Sequence, residues 1–115
     1  MVATNKTSST TFSKKLLELN VVNEVNKIVE FLQQSVAGTM HKRGAVVGIS
    51  GGIDSSVVLA LCVKAFGADR VIGLMLPERE SSPDSLTLAQ KLADQFRVKT
   101  ITEDISPILD GAGCY

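Results

Sequence analysis

Ala45-Val46-Val47-Gly48-Ile49-Ser50-Gly51-Gly52-Ile53-Asp54-Ser55-Ser56 joins an apolar run to a second apolar segment through paired glycines, and its reading decides the fold. Residues 45–49 are apolar and rich in β-branched side chains, which predicts a strand buried on both faces. From Asp54 to Phe66 the chain is apolar nearly all round and then meets Gly67, the pattern of a helix covered on most sides and stopped by glycine. In a strand-turn-helix of this kind, ligands lie beyond the carboxyl ends of the strands. The backbone N–H groups of the turn and of the helix start point outward there.

Upstream, Val25, Ile28, Val29, Leu32 and Val36 recur at helical spacing and predict an amphipathic helix capped by Asn20. His41, Lys42 and Arg43 follow it, where positive charge suits the carbonyl end, and Gly44 breaks the pattern. His41 is the only histidine, and with no cysteine or carboxylate at ligand spacing it reads as a surface or helix-end residue. Downstream, residues 71–76 predict a second buried strand ended by Pro77, and Glu78 to Ser82 a charged loop. Ser82 then caps a third helix with Pro83 in its first turn, Asp84 complementing its dipole, and Leu86, Ala89, Leu92, Ala93 and Phe96 as its apolar stripe. Residues 98–101 suit a third strand, and Ser106-Pro107 starts another helix. The order predicts an α/β fold with a parallel sheet, right-handed crossovers and helices on its faces. Three strands make a narrow sheet, so the chain reads as the N-terminal part of a larger domain.

The 115 residues are 44% hydrophobic and 21% charged, the profile of one globular domain or part of one. Residues 1–19 read as a flexible Ser/Thr-rich tail and residues 20–115 as the domain. Twelve basic and twelve acidic residues cancel, which argues against nucleic acid or an anionic membrane as partner. The longest apolar stretch falls short of a bilayer span, and the polar start lacks a signal peptide. Cys62 and Cys114 have no framework spacing and read as free thiols in a reducing compartment, the cytoplasm.

The chemistry lies in Ser50 to Ser56. Gly51 and Gly52 let the backbone approach phosphate oxygens closely, and the hydroxyls of Ser50, Ser55 and Ser56 add donors. Asp54 is repelled by a polyphosphate unless a cation intervenes, so it is expected to hold Mg2+ on the β and γ phosphates; the plainer reading is a helix cap. A Walker A loop needs lysine where Ile53 stands, and GxGxxG needs glycine where Ser50 stands, so both fail. Gly48-Ile49-Ser50-Gly51-Gly52 does fit GxSxG, the nucleophile elbow, with Ser50 as a hydrolase nucleophile. In that fold an earlier strand supplies the oxyanion partner and the histidine comes last, whereas here the motif follows the first predicted strand and His41 precedes it.

SGGIDSS after this strand resembles the signature of the ATP pyrophosphatases, which include NAD, GMP and asparagine synthetases and tRNA-thiolating enzymes. The IVEFL stretch at residues 28–32, VVGISGGIDSSVVLAL, LMLPERESSPDS and EDISPIL resemble the NAD synthetases in particular, over about residues 25–107. The resemblance implies a three-layer, adenine nucleotide alpha hydrolase-like fold, truncated here. It also implies an amide ligase: ATP adenylates the carboxylate of deamido-NAD with release of pyrophosphate, and ammonia displaces AMP. No side-chain nucleophile or base is needed.

On that resemblance Gly48, Ile49, Ser50, Gly51, Gly52, Ile53, Asp54, Ser55 and Ser56 would bind ATP, with Asp54 on the metal, and Met75 and Leu76 would flank the adenine or else be core, as buried-strand residues usually are. Some members carry arginine where Met75 stands. Arg79 lies in a segment, Glu78 to Asp84, that matches a loop closing over ATP, or else is a solvated arginine paired with Glu78 or Glu80. Fewer than fifty residues precede the loop, too few for a glutaminase domain, so the ammonia-dependent type or one fed ammonia by a partner is expected, and the resemblance implies a homodimer at full length. Alternatives are another ATP pyrophosphatase, GMP synthetase-like or tRNA-thiolating, or a nucleotide-binding module without chemistry. A nucleotide bound at a switch point needs both walls, so residues 1–115 alone are expected to turn over no ATP.

Overall fold

The computed structural model describes residues 12–115; residues 1–11 of the expected tail lie outside the described residues. Of the remainder of that tail, Lys14–Leu17 make one exposed 3-10 turn. The elements that follow are α1 (Val21–Gln33), β1 (Ala45–Gly48), α2 (Ile53–Phe66), β2 (Val71–Met75), α3 (Pro83–Gln95), β3 (Lys99–Thr102) and α4 (Ser106–Gly111). The strands form one parallel sheet in the order β1-β2-β3, with Val47 opposite Gly73 and Gly73 opposite Thr100. The α/β class and the parallel sheet are therefore as the sequence predicts.

Asn20 caps α1 as expected, its side chain accepting from the Asn23 N–H at 3.2 Å. The end of that helix is not the expected one. A π-helical segment, Gln34–Thr39, extends it, and His41 rather than a glycine takes the left-handed conformation that turns the chain, with φ 53°. The Lys42 N–H closes the turn on the Val36 carbonyl at 2.8 Å. Gly67 stops α2 as predicted, with φ 87° and its N–H on the Val63 carbonyl. Ser82 occupies the N-cap position of α3, but its side chain makes no capping bond; Pro83, lacking an N–H, leaves one orphan donor fewer to satisfy.

Strand alternation sorts the sheet into two unlike faces. Val47, Ile49, Val71, Met75 and Val98 lie on one face and form the core with Leu59 and Cys62 of α2 and Ala89 and Ala93 of α3. Small alanines let α3 approach the strands closely. α1 packs on the outside of α2, where the Gln33 amide donates to the Ala65 carbonyl at 3.0 Å. The expectation that β1 is buried on both faces is corrected: Val46 is 65% exposed, and Ile72 and Ile101 beside it on the second face are also exposed. α2 is likewise covered on fewer sides than expected, with Ile53, Val57 and Val58 open. An apolar run reports that a residue is suited to burial and not which segment covers it.

Both cysteines are free, Cys62 buried and Cys114 exposed, and burial pushes the Cys62 thiol up from its ordinary value. A thiol reagent is therefore expected to modify Cys114 rapidly in the native protein and Cys62 only on unfolding. Peptide mass mapping after brief labelling checks this; comparable native rates would contradict the packing.

Candidate functional site

The β1 ladder runs up to the predicted loop, since the Ile49 N–H donates to the Leu74 carbonyl at 2.9 Å. The chain then reverses at Gly51, whose φ of +87° suits glycine; a Cβ there would lie 2.6 Å from the Ser85 carbonyl oxygen. Both the conformation and the contact with the start of α3 require glycine. Side chains brace the turn from inside. The Ser50 N–H donates to Ser55 Oγ at 3.1 Å and the Gly52 N–H to Ser50 Oγ at 3.2 Å. The Ser50 and Ser55 hydroxyls are 3.1 Å apart, and the Ser56 hydroxyl donates to the Gly52 carbonyl at 2.7 Å.

The serine hydroxyls thus hold the loop, and the outward donors are main-chain groups. The Ser56 N–H closes the first turn of α2 on the Gly52 carbonyl at 3.3 Å, and the amides of Ile53, Asp54 and Ser55 ahead of it are the orphan donors of a helix start. The positive end of the helix dipole lies at the same place, so the spot favours an anion.

Asp54 stands in the first turn, exposed, and among the described residues its carboxylate makes no hydrogen bond or ion pair. Its helix is capped at Gly52, which has no side chain to bond, so the plainer reading of Asp54 as a cap finds no supporting bond. Among the described residues no group of three or more His, Cys, Asp or Glu is placed to hold a metal by itself. One free carboxylate is still what a magnesium ion takes from the protein when phosphate and water supply its other ligands, and the outward amides beside it suit the phosphate. The residues fit that ion and not a protein-caged one.

Beside the loop a cavity of about 180 Å³ opens between the strand ends and α3. It gathers four of the predicted residues, Ile49, Ser50, Met75 and Leu76, then Ser81 and Ser82 of the segment expected to close over ATP, and four that sequence reading missed: Pro77, Ser85, Leu86 and Ala89. Met75 is 2% exposed and Leu76 46%, so Met75 is core with an edge in the cavity and Leu76 presents its side chain. Ser82 and Ser85 lie more than thirty residues from Ser50, and only the parallel crossover brings them there.

Arg79 is not on that cavity wall; its guanidinium carbon lies 4.1 Å over the ring of Tyr115. The Tyr115 hydroxyl donates to the Glu78 carboxylate and accepts from the Arg79 N–H at 3.3 Å. The bond from Tyr115 lowers the Glu78 carboxyl below its ordinary value, whereas desolvation and then Glu78 raise the Tyr115 phenol. Asp104 is lowered by its bonds to Ser106. The expected pairing of Arg79 with Glu78 or Glu80 is not formed among the described residues.

The nucleophile-elbow reading loses its geometry. Positive φ falls on Gly51 and not on Ser50, and His41 precedes β1 at the opposite end of the sheet, a four-residue strand or about 13 Å away. Among the described residues no helix is long and apolar enough to cross a membrane.

Known proteins share this arrangement. The NH(3)-dependent NAD(+) synthetase of Mesorhizobium japonicum is 51% identical over 100 residues, covering 87% of this chain and 31% of that protein. The solved NH3-dependent NAD synthetase of Campylobacter jejuni, in complex with the nitrate ion, superposes with a TM-score of 0.75 at 29% identity over 84% of this chain and 41% of that one. The glutamine-dependent NAD+ synthetase of Acinetobacter baumannii, in complex with ADP, gives 0.66 at 32% identity over 76% and 16%. The chain spans about a third of the length of the curated relatives it matches. The NAD synthase profile matches residues 24–112, a span that runs from α1 through the loop and cavity to α4, and by that match the chain belongs to the NAD synthase family.

Proposed function

We propose that residues 20–115 form the ATP-grasping part of an amide ligase that makes NAD from deamido-NAD and ammonia. In the first step a carboxylate oxygen of deamido-NAD attacks the α-phosphorus of ATP and the bond to the β-phosphate breaks. In the second, ammonia attacks the adenylated carbonyl carbon, AMP leaves with the bonding electrons, and the nitrogen loses a proton. The outward amides of Ile53, Asp54 and Ser55, with the Gly48–Gly52 turn behind them, stabilise the charge gathering on pyrophosphate as it departs. Bound magnesium, held by Asp54, would neutralise phosphate charge in the same place. Ile49, Met75 and Leu76 offer apolar surface to the adenine, and Ser50, Ser55 and Ser56 keep the turn in shape.

The single observation behind this reading is the set of helix-start amides flanked by a carboxylate, none of them with a partner among the described residues. The ADP bound to the Acinetobacter relative supports an adenine nucleotide at this fold. In the same reading the enzyme is a cytoplasmic homodimer that uses neither nucleic acid nor membrane as a partner. The test is product analysis with the full-length chain, ATP, magnesium, deamido-NAD and ammonia. Equal amounts of AMP, pyrophosphate and NAD are expected; ADP would refute the mechanism, and turnover only with a base or tRNA would move it to another ATP pyrophosphatase.

A further inference from the structure

Tyr115 lies at the far end of the described chain, yet it makes three contacts with one short turn. Its ring underlies the Arg79 guanidinium, its oxygen accepts from the Arg79 backbone, and its hydroxyl donates to Glu78. Among the described residues the turn is otherwise hydrogen-bonded from within: the Glu78 N–H donates to Ser81 Oγ at 3.0 Å and the Ser81 N–H to the Glu78 carbonyl at 2.9 Å. Ser81 at its end is on the wall of the cavity next to Ser50. The base of the turn is rigid, because the β2–β3 ladder continues through Glu103 to Met75 and Ile105 to Pro77. A cation on a flexible stem, on a turn that begins at a rigid strand and ends at the cavity, is therefore stacked on an aromatic ring outside it.

We propose that Tyr115 is a positioning residue that parks Arg79 away from the nucleotide, so that the triphosphate must draw Arg79 off the ring before the turn closes over it. The inference rests on the ATP reading given above. A phosphate is the stronger partner, since a guanidinium meets its oxygens with paired, charge-assisted hydrogen bonds. The ring and the two hydrogen bonds nevertheless hold the open state, and apparent affinity falls by the fraction of molecules in which Arg79 is released. An exposed cation–π contact with two weak, solvent-exposed hydrogen bonds corresponds to about a 3- to 10-fold bias.

The test is a mutant cycle in the full-length chain, with KM for ATP measured by AMP formation. Tyr115→Ala is expected to lower KM for ATP by about 3- to 10-fold, and Tyr115→Phe, which keeps the ring and loses the hydroxyl, by about twofold. In an Arg79→Ala background the Tyr115 substitutions should no longer move KM. A KM that stays level or rises in Tyr115→Ala, or a gain that persists without Arg79, overturns the inference. Either result leaves AMP formation in place, whereas absence of AMP and pyrophosphate from the unsubstituted chain defeats the ATP reading itself. Tyr115 is the one tyrosine of these 115 residues, which contain no tryptophan. Its emission in a chain whose other tyrosines and tryptophans are replaced gives a second readout: ATP should change it when Arg79 is present and not in Arg79→Ala.

Discussion

Asp54→Asn in the full-length chain is expected to lower kcat for AMP formation by about 10²- to 10³-fold, the range seen when one preorganised electrostatic group is removed from a reacting site. Asparagine keeps the size of the side chain and removes its charge. If Asp54 holds magnesium against the phosphates, the variant should also need more magnesium for half-maximal rate. If Asp54 only complements the dipole of α2, the loss is confined to stability, about 0.3–1 kcal/mol at an exposed first-turn site. Rate against magnesium concentration, read beside the melting temperature, separates these cases. A variant that makes AMP at the normal rate and melts slightly early would end the metal-bearing role.

The position of Asp54 was legible in the sequence because local chemistry sets it. A β-branched run, two glycines and an apolar helix leave few other conformations, and the observed strand and helix bounds differ from the reading by one residue. The helix stop at Gly67 and the cap at Asn20 were legible for the same reason. What failed depends on tertiary neighbours. The second face of the sheet looks like a core in sequence, because Val46, Ile72 and Ile101 are suited to burial whether or not a described residue covers them. The serine hydroxyls of the loop read as ligand donors from composition, and that they also bond each other and the Gly52 carbonyl in the fold is a bracing role composition does not reveal. Pocket residues on α3 gave no signal, since an exposed helix start with several serines has the same composition as an ordinary cap. Tyr115 was invisible for a related reason: its partners lie 36 and 37 positions away.

Gly51→Ala should damage both fold and activity, whereas Gly48→Ala, three residues earlier, should damage the fold little. At Gly48 an added Cβ meets nothing within 4 Å, so alanine there is expected to change stability by less than about 0.5 kcal/mol. At Gly51 the φ of +87° is a conformation that alanine adopts only at a cost of about 1–2 kcal/mol, and the new carbon would press on the Ser85 backbone at 2.6 Å. Backbone cannot swing aside as the end of a side chain can, so either the turn or the start of α3 must shift, for a total of about 2–4 kcal/mol. Gly113→Ala separates the two costs, because Gly113 has a φ of +77° with nothing within 4 Å and should show only the conformational one. The same displacement moves the Ile53, Asp54 and Ser55 amides, and misplacing such groups by about 1 Å costs roughly 10²-fold in rate. Melting temperature and AMP formation measured on the three variants test the account. It fails if Gly51→Ala melts and turns over like Gly48→Ala, since the turn would then have room for a side chain that the geometry denies it.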